Sequence, residues 1–395
     1  MTIHTPATEP EAAAIIAEAA ERRTPLSIMG GGTKRGLGRA AQTQGLLSSK
    51  GLAGITLYEP AELVISARAG TPLSEVEAAL AAKGQHLPFE PMDYRGLLGS
   101  TGEPTVGGMA ASNLSGPRRI KAGACRDAFL GTRFVNGKGE VVKSGGRVMK
   151  NVTGLDLTRL MAGSFGTLGL LTEVTFKVLP RPQSEATLVL RGLSDIRAVE
   201  ALSAALGSPF EVSGAAHLPD GIDESGARSL LRLEGVAEAL RYRAKALAEA
   251  LKPFGKAGRL EAEASRALWR SIRDAAFLAE PRERALWRLS VAPTKGPAVA
   301  QAIARELEAR FFYDWGGGLV WLACPAIGDA GAEILHATAQ RASGHATLVR
   351  APETVRAAVD VFQPQPASVM RLSRGVKASF DPAGILEPGR IYPGV

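Results

Sequence analysis

PTVGGMAASNLSGPRRIKAGACRDAFLGTRFVNGKGE, residues 104–140, carries seven glycines in 37 residues. Its second half holds a strand-like run, Phe129 to Val135, followed by Asn136-Gly137-Lys138-Gly139, a hairpin turn signature leading into Glu140 to Lys143. Without a Cβ, neighbouring backbone N–H groups can converge on one anion, so glycine clusters beside strands point to close approach to a phosphate-bearing ligand. Similar clusters lie on both sides: GGGTKRGLG at 30–38, after a short strand Leu26 to Met29, and GSFGTLG at 163–169. Of the 45 glycines, 26 fall within residues 1–180, so the excess belongs to the N-terminal half.

Spacing tests the familiar phosphate loops. A dinucleotide fingerprint starting at Gly30 needs glycine at 35, where Arg35 stands. A P-loop read from Gly131 to Gly137-Lys138 is one residue too long, and Gly139 occupies the place of the magnesium-binding hydroxyl. Four separated elements remain: GGGT (30–33), VGG (106–108), SGPRRIKAGACRD (115–127) and GSFGTLG (163–169). They fit either an elongated dinucleotide held between two subdomains, with Thr33, Ser112 or Ser164 as hydroxyl donors, or a set of tight turns in a strand-rich domain.

Outward from these loops, Thr8-Glu9-Pro10-Glu11 opens a helix to about Arg23. Leu63 to Ala69 reads as a strand, a helix runs from Thr71-Pro72 to Gly84, and His86 to Phe89 follows as a strand. Leu170 to Leu179 alternates as a strand and stops at Pro180-Arg181-Pro182, which marks a domain boundary. Beyond it, helices at 196–206, 235–252, 262–273, 297–311 and 330–342 alternate with strands at 186–191, 227–233, 286–291, 319–323 and 346–350. That order predicts an α+β, ferredoxin-like domain with helices on one face of a sheet. The expected division is 1–182, 183–366 and a C-terminal segment, 367–395, with turn chemistry in Asp381-Pro382-Ala383-Gly384.

Charge and cysteine content narrow the function. The chain has 395 residues and a formal charge of +8, of which +7 lies in 118–150. The aromatics of that stretch, Phe129 and Phe134, have the odd spacing of opposite strand faces, which argues against a base-stacking platform and hence against nucleic acid. Two cysteines, Cys125 and Cys324, exclude a four-cysteine zinc or iron–sulfur site within the chain. No apolar run has the length of a membrane span and the N-terminus is acidic-polar, so a cytoplasmic protein is expected.

In order and spacing, PLSIMGGGTKRGLG (25–38), ELVISARAGTPLSEVEAALAAKGQHLPFEP (62–91), the stretch 104–140, VMKNVTGLDLTRLMAGSFGTLGLLTEVTFKVLPRP (148–182) and FDPAGILEPGRIY (380–392) resemble the flavin domain of the vanillyl-alcohol oxidase/p-cresol methylhydroxylase (PCMH) class. More closely, they resemble the family of FAD-binding E subunits of bacterial glycolate oxidases. The resemblance is dense over 1–182, good in the tail and diffuse over 183–366. It implies a two-subdomain PCMH-type FAD-binding domain, a cap domain, and a tail folded back on the FAD domain. Gly30, Gly31, Gly32, Thr33 and Lys34 would wrap the FAD pyrophosphate, and Val106, Gly107 and Gly108 would approach the flavin ring, with Pro91, Ser112 and Gly116 alongside. Gly123, Gly163, Gly166, Gly169, Glu173 and Val174 would complete the pyrophosphate and adenosine region, and the tail would bring Arg390 near the cofactor. Where some members attach flavin covalently through a histidine, Thr33 stands here, so the FAD is expected to be noncovalent.

Oxidising a 2-hydroxy acid on a flavin needs a base, a cation for the carboxylate and a placed C–H bond. Related single-chain dehydrogenases carry a histidine-rich segment in the second domain, and its counterpart here, Tyr313 to Trp321, has no histidine. The remaining candidates are Arg273, Arg288 and Asp314, each of which also has an ordinary packing or turn reading. His4 is expected in a frayed terminus, and none of the five histidines pairs at metal spacing.

The resemblance therefore implies a subunit of a glycolate-to-glyoxylate oxidase complex, working with a sister FAD-linked flavoprotein and an iron–sulfur subunit. The basic stretch would face an acidic partner, and any membrane association would be peripheral, through partners. A self-sufficient D-lactate-type 2-hydroxy-acid dehydrogenase and a non-catalytic flavin-fold scaffold stay open as alternatives.

Overall fold

The computed structural model describes residues 2–147 and 154–395; the VMKNVT start of the fourth resembling segment lies outside the described residues. Three sheets carry the architecture. In the first, three parallel strands run in the order Thr2–His4, Gly45–Ser48, Leu26–Met29. His4 thus sits in a strand, where the sequence suggests a frayed end, because parallel pairing to Leu47 orders the terminus. The helix Glu9–Glu21 covers this sheet, capped as expected by Thr8, whose hydroxyl accepts from Glu11 N–H. The second sheet is antiparallel, in the order Ile55–Glu59, Val64–Arg68, Leu170–Lys177, Phe129–Val135, Val141–Gly145.

Several local readings differ from the sequence expectation. The 94–169 region contains short helices, Arg95–Leu98, Val106–Ser112, Arg119–Ala122 and Cys125–Ala128, too short to give an amphipathic period. Strand pairing after Gly84 involves only Gln85–His86, against Leu179–Pro180. Phe129 and Phe134 are both buried in one core cluster, since register shifts on the Phe129–Val135 strand break the simple alternation.

The third sheet has eight antiparallel strands. Its first half is Ser184–Arg191, helix Asp195–Leu206, Gly214–Leu218, Arg228–Gly235, helix Ala237–Ala250 and Gly258–Glu261. The second repeats the same βαββαβ order: Ala285–Ser290, Gly296–Glu306, Arg310–Asp314, Leu319–Cys324, Ala332–Arg341 and His345–Arg350. Both halves have the fourth strand beside the first and the second strand on the inner side, and the pair His217 with Tyr313 joins them. The ferredoxin-like expectation is thereby doubled: the sheet is two such units fused edge to edge. Gly214–Leu218, Gly258–Glu261 and Arg310–Asp314 are strands absent from the sequence reading, defined by the neighbours they pair with in the sheet. The helices of both halves cover one face; the other turns towards the glycine-rich domain, and an apolar cluster including Tyr94, Leu97, Trp269, Trp315 and Trp321 fills the seam.

The C-terminal segment, read in sequence as turns, begins with a helix, Ala367–Phe380. The chain then returns to the first sheet, where Leu26 pairs in parallel with Leu386 and its N–H donates to Ile385. A buried ion pair anchors this return. Lys377 Nζ donates to Asp381 Oδ2, Thr167 O and Leu386 O, each at 2.7 Å, while Asp381 accepts from the N–H groups of Ile385 and Leu386. Asp381→Ala leaves the Lys377 ammonium buried without its counter-charge and frees two amides. Removing one member of a buried pair costs about 3–5 kcal/mol. The expected result is a marked drop in thermal midpoint by circular dichroism, with a smaller drop for Asp381→Asn.

Candidate functional site: a glycine-lined cleft and the seam above it

Between the first two sheets lies a cleft of about 790 Å³, including its open mouth. The loop 30–34 leaves the strand Leu26–Met29 and forms one wall; its backbone packs so closely on residues 102–103 that a Cβ at Gly31 would overlap Glu103 O. The N–H groups of Gly31, Gly32, Thr33 and Lys34 donate to no protein acceptor among the described residues. Opposite stand Gly107, Gly108, Ala111 and Ser112 on the helix Val106–Ser112, whose N-cap Thr105 accepts from Gly108 N–H at 3.3 Å. Phe165, Gly166 and Gly169 close a third side and Arg390 a fourth.

Arg390 is held there by the tail: its Nη1 donates to Glu387 Oε1 at 2.7 Å, and Glu387, itself buried, accepts from Ile28 N–H and Ser27 Oγ. The cleft is electropositive, with Lys34, Arg35 and Arg390 on its walls. Burial lowers the Lys34 ammonium to about 8, so it is poised to gain an anionic partner. A ligand with phosphate groups matches this donor set.

Of the candidate cofactor residues, Gly30, Gly31, Gly32, Thr33, Lys34, Gly107, Gly108, Ser112, Gly166, Gly169 and Arg390 meet in this cleft. Val106 lies beneath it in the core, Gly163 packs on Asn113, and Gly123 turns over Asp127. Glu173 and Val174 sit mid-strand in the second sheet, cross-paired with Arg68 and Ala67, and do not line the cleft. Two of the three expected hydroxyl donors are engaged elsewhere: Ser112 donates to Gly108 O at 2.8 Å and Ser164 to Met161 O at 2.9 Å. Arg35, Ala111 and Phe165 are cleft residues that no spacing rule singled out.

Pro91 and Gly116 lie at the seam between the domains. Pro91 lines a second, polar cavity of about 1130 Å³, and Gly116 packs on Glu90 and Arg273. The seam is tied by charge. Arg232 grips Glu90 with two hydrogen bonds, 2.8 and 2.9 Å, and Arg118 pairs with Glu234 while its N–H donates to Glu90 Oε2 at 2.7 Å. Burial alone would raise the Glu90 carboxyl; the Arg232 and Arg118 guanidiniums overcome it and hold it at about 2. Arg118 is therefore spent inside the molecule. Arg133 pairs with Glu9 and Lys121 with Glu211, so the basic stretch offers fewer open cations than its sum implies.

The three catalytic candidates also face this seam. Arg273 is clamped by Asp274 through 2.8 and 2.7 Å bonds. Arg288 has no carboxylate partner among the described residues, and its Nε is buried without an acceptor. Asp314 ends a strand, accepts from Trp315 N–H at 2.7 Å, and is pushed up by burial to about 7. Tyr94 and Trp321, which carried no sequence signal, bring two more buried polar atoms without partners, each costing about 1–3 kcal/mol if left so.

Residues 2–145 match the family described as FAD binding domain. Over 95% of this chain and 95% of the relative, the sequence is 37% identical to glycolate oxidase subunit GlcE of Escherichia coli (strain K12). Glycolate oxidase subunit GlcD of Bacillus subtilis (strain 168) is 32% identical over 45% of this chain and 37% of its own length; D-lactate dehydrogenase of Anaerostipes hadrus is 33% identical over 46% and 36%. Among solved structures, 4-ethylphenol oxidase from Gulosibacter chungangensis, in its isoeugenol complex, superimposes with a TM-score of 0.73 at 15% identity, covering 99% of this chain and 89% of that one. An alkyldihydroxyacetonephosphate synthase gives 0.69 at 15% identity over 98% and 75%. These two share the fold.

Because the Glu90 carboxyl is lower in the folded chain than its ordinary 4.5, its contribution to stability is full above that value and is lost as pH falls towards about 2. Glu90→Gln is accordingly expected to lower the thermal midpoint strongly at pH 7, with the gap from the parent protein shrinking towards pH 2. Scanning calorimetry across that range measures it.

Proposed function

Since this chain belongs to the family of the glycolate oxidase subunit GlcE, we propose that it is the FAD-binding subunit of a complex that oxidises glycolate to glyoxylate. The observation that carries the reading is the electropositive cleft in which three glycine loops and Arg390 converge. FAD fits this cleft. Free N–H groups at 31–34 and the Thr33 hydroxyl suit a pyrophosphate, Lys34 and Arg390 offset its charge, and the Cβ-free surface of Gly108 leaves room for a flat ring. Gly123, Gly163, Glu173 and Val174, outside the cleft wall, would contribute through backbone in the adenosine region. Among the described residues, no histidine or cysteine lines the cleft, which supports a noncovalent flavin.

When bound, FAD supplies the two-electron acceptor for the hydroxy acid's C–H bond. The chain's own role is to hold the pyrophosphate, exclude water with the apolar seam, and present polar groups from the cap. With two cysteines, both buried, it lacks the thiolates for an iron–sulfur cluster, so a partner of that kind would carry electrons onwards. A sister FAD-linked flavoprotein would complete the complex. No helix among the described residues is long and apolar enough to cross a membrane, and attachment to the inner membrane face would run through partners.

Gly108→Val tests the cleft. A Cβ there meets only Thr105 Oγ1, at 3.2 Å, so the fold is expected to persist while flavin affinity falls at least about 100-fold, read by bound absorbance at 450 nm and circular dichroism. Unchanged flavin content in a folded variant overturns the assignment.

Lys34 adds a pH signature. The ammonium is charged below about 8, so FAD affinity should be flat below that pH and weaken by up to about tenfold per unit above it. Lys34→Met should bind more weakly and lose this slope in equilibrium titrations. Acid precipitation should release all flavin into solution.

A further inference from the structure

Three buried polar atoms without hydrogen-bond partners lie together at the seam: Tyr94 Oη, Arg288 Nε and Trp321 Nε1. Arg288 and Trp321 are direct partners on adjacent antiparallel strands, so their side chains leave the sheet on the same face. Tyr94 comes from the opposite domain, its ring edge-on to Trp321 at 6.2 Å. Tyr94 is 1% exposed and Trp321 0%. Indole and guanidinium nitrogens can only donate, so the missing partner is an acceptor.

Charge points the same way. Arg288 lies 4.9 Å from the Trp315 ring and Arg119 4.4 Å from the same ring, and among the described residues neither guanidinium is in direct salt-bridge contact with a carboxylate, the acids nearest in effect being Asp314 and Asp127. The Trp315 indole is fixed by its own bond to Gly116 O, 3.2 Å. The neighbouring carboxyl, Asp314, is raised by burial to about 7 and so only partly offsets Arg288 at neutral pH. Buried donors without acceptors, beside two half-buried cations that no carboxylate contacts directly, suit a small anion.

Its position relates it to the cleft. Arg288 pairs with Thr347, Thr347 bridges to Phe362, and the Phe362 ring meets Phe165, a cleft residue, at 5.5 Å. The cluster is thus within a short chain of contacts of the proposed flavin site, on the cap side.

We propose that Tyr94, Arg288 and Trp321 form a recognition site for a small carboxylate, with Arg119 and Trp315 as its electropositive wall. That the carboxylate belongs to a 2-hydroxy acid rests on the proposed function; the anion site itself does not. The subunit thereby has substrate-binding chemistry of its own, although the histidines that the single-chain dehydrogenases use are missing.

The test titrates the purified full-length chain, loaded with FAD, with oxalate as a non-oxidisable two-carbon acid, following tryptophan fluorescence and calorimetry. Saturable binding is expected. Arg288→Met should weaken it at least about tenfold and Tyr94→Phe about three- to tenfold, at unchanged flavin content. Tyr94→Phe removes a single oxygen, so it keeps the test valid if Arg288→Met does not fold. Absence of saturable oxalate binding, equal binding by Tyr94→Phe and the parent, or equal binding of inorganic phosphate each overturns the carboxylate site. Binding of oxalate that depends on these residues, without flavin bleaching by glycolate, supports the site and removes glycolate oxidation by this chain alone.

Discussion

The Glu90 carboxylate, mostly shielded from solvent, ties the two halves of this protein together. Glu90 belongs to the glycine-rich domain, at a positive backbone φ of 52°, and meets Arg232 from the middle of the eight-stranded sheet through two parallel hydrogen bonds. Without Glu90 the Arg232 guanidinium would stay buried with its charge poorly compensated, which is far more costly than opening a surface pair. The geometry of that contact therefore sets how close the cap lies to the cofactor domain. Arg118 and Glu234 extend the pair into a network, and the Arg232 guanidinium also stacks on Trp269 at 4.7 Å.

The contacts at the seam follow from this spacing. With Glu90 and Arg232 joined, Gly116 comes under Trp315, and the Tyr94 ring meets Trp321. The apolar cluster around these side chains keeps water out, which strengthens each polar contact within it. The tail makes a comparable tie on the far side of the cleft. Lys377 and Asp381 lock the chain end onto the first sheet, and Glu387 then delivers Arg390 to the cleft wall from 360 residues away in sequence.

Legibility in sequence varied with the range of the interaction. The glycine loops, the Asn136 hairpin and the Thr8 cap were readable because each depends on local φ, turn chemistry or a hydroxyl three residues away. The duplicated βαββαβ unit was half visible: its longer helices showed their period, while its short strands did not, since pairing rather than propensity defines them. Ser112 and Ser164 looked like ligand donors but satisfy nearby carbonyls, a choice that only the folded backbone makes.

By itself the sequence determined where backbone can approach a ligand closely, in glycine clusters whose order and spacing resemble a cofactor domain of this class. It also determined that the chain cannot carry its own four-cysteine cluster. The tertiary structure alone decided which charged residues are consumed by the architecture and which remain open. Arg118, Arg232 and Arg273 are each matched to a carboxylate, whereas Arg288 is not, and no local pattern separates them. The reason is physical: a buried charge is defined by its partner, and although Arg273 finds its own in the adjacent Asp274, the partners of Arg118 and Arg232 arrive from the other domain.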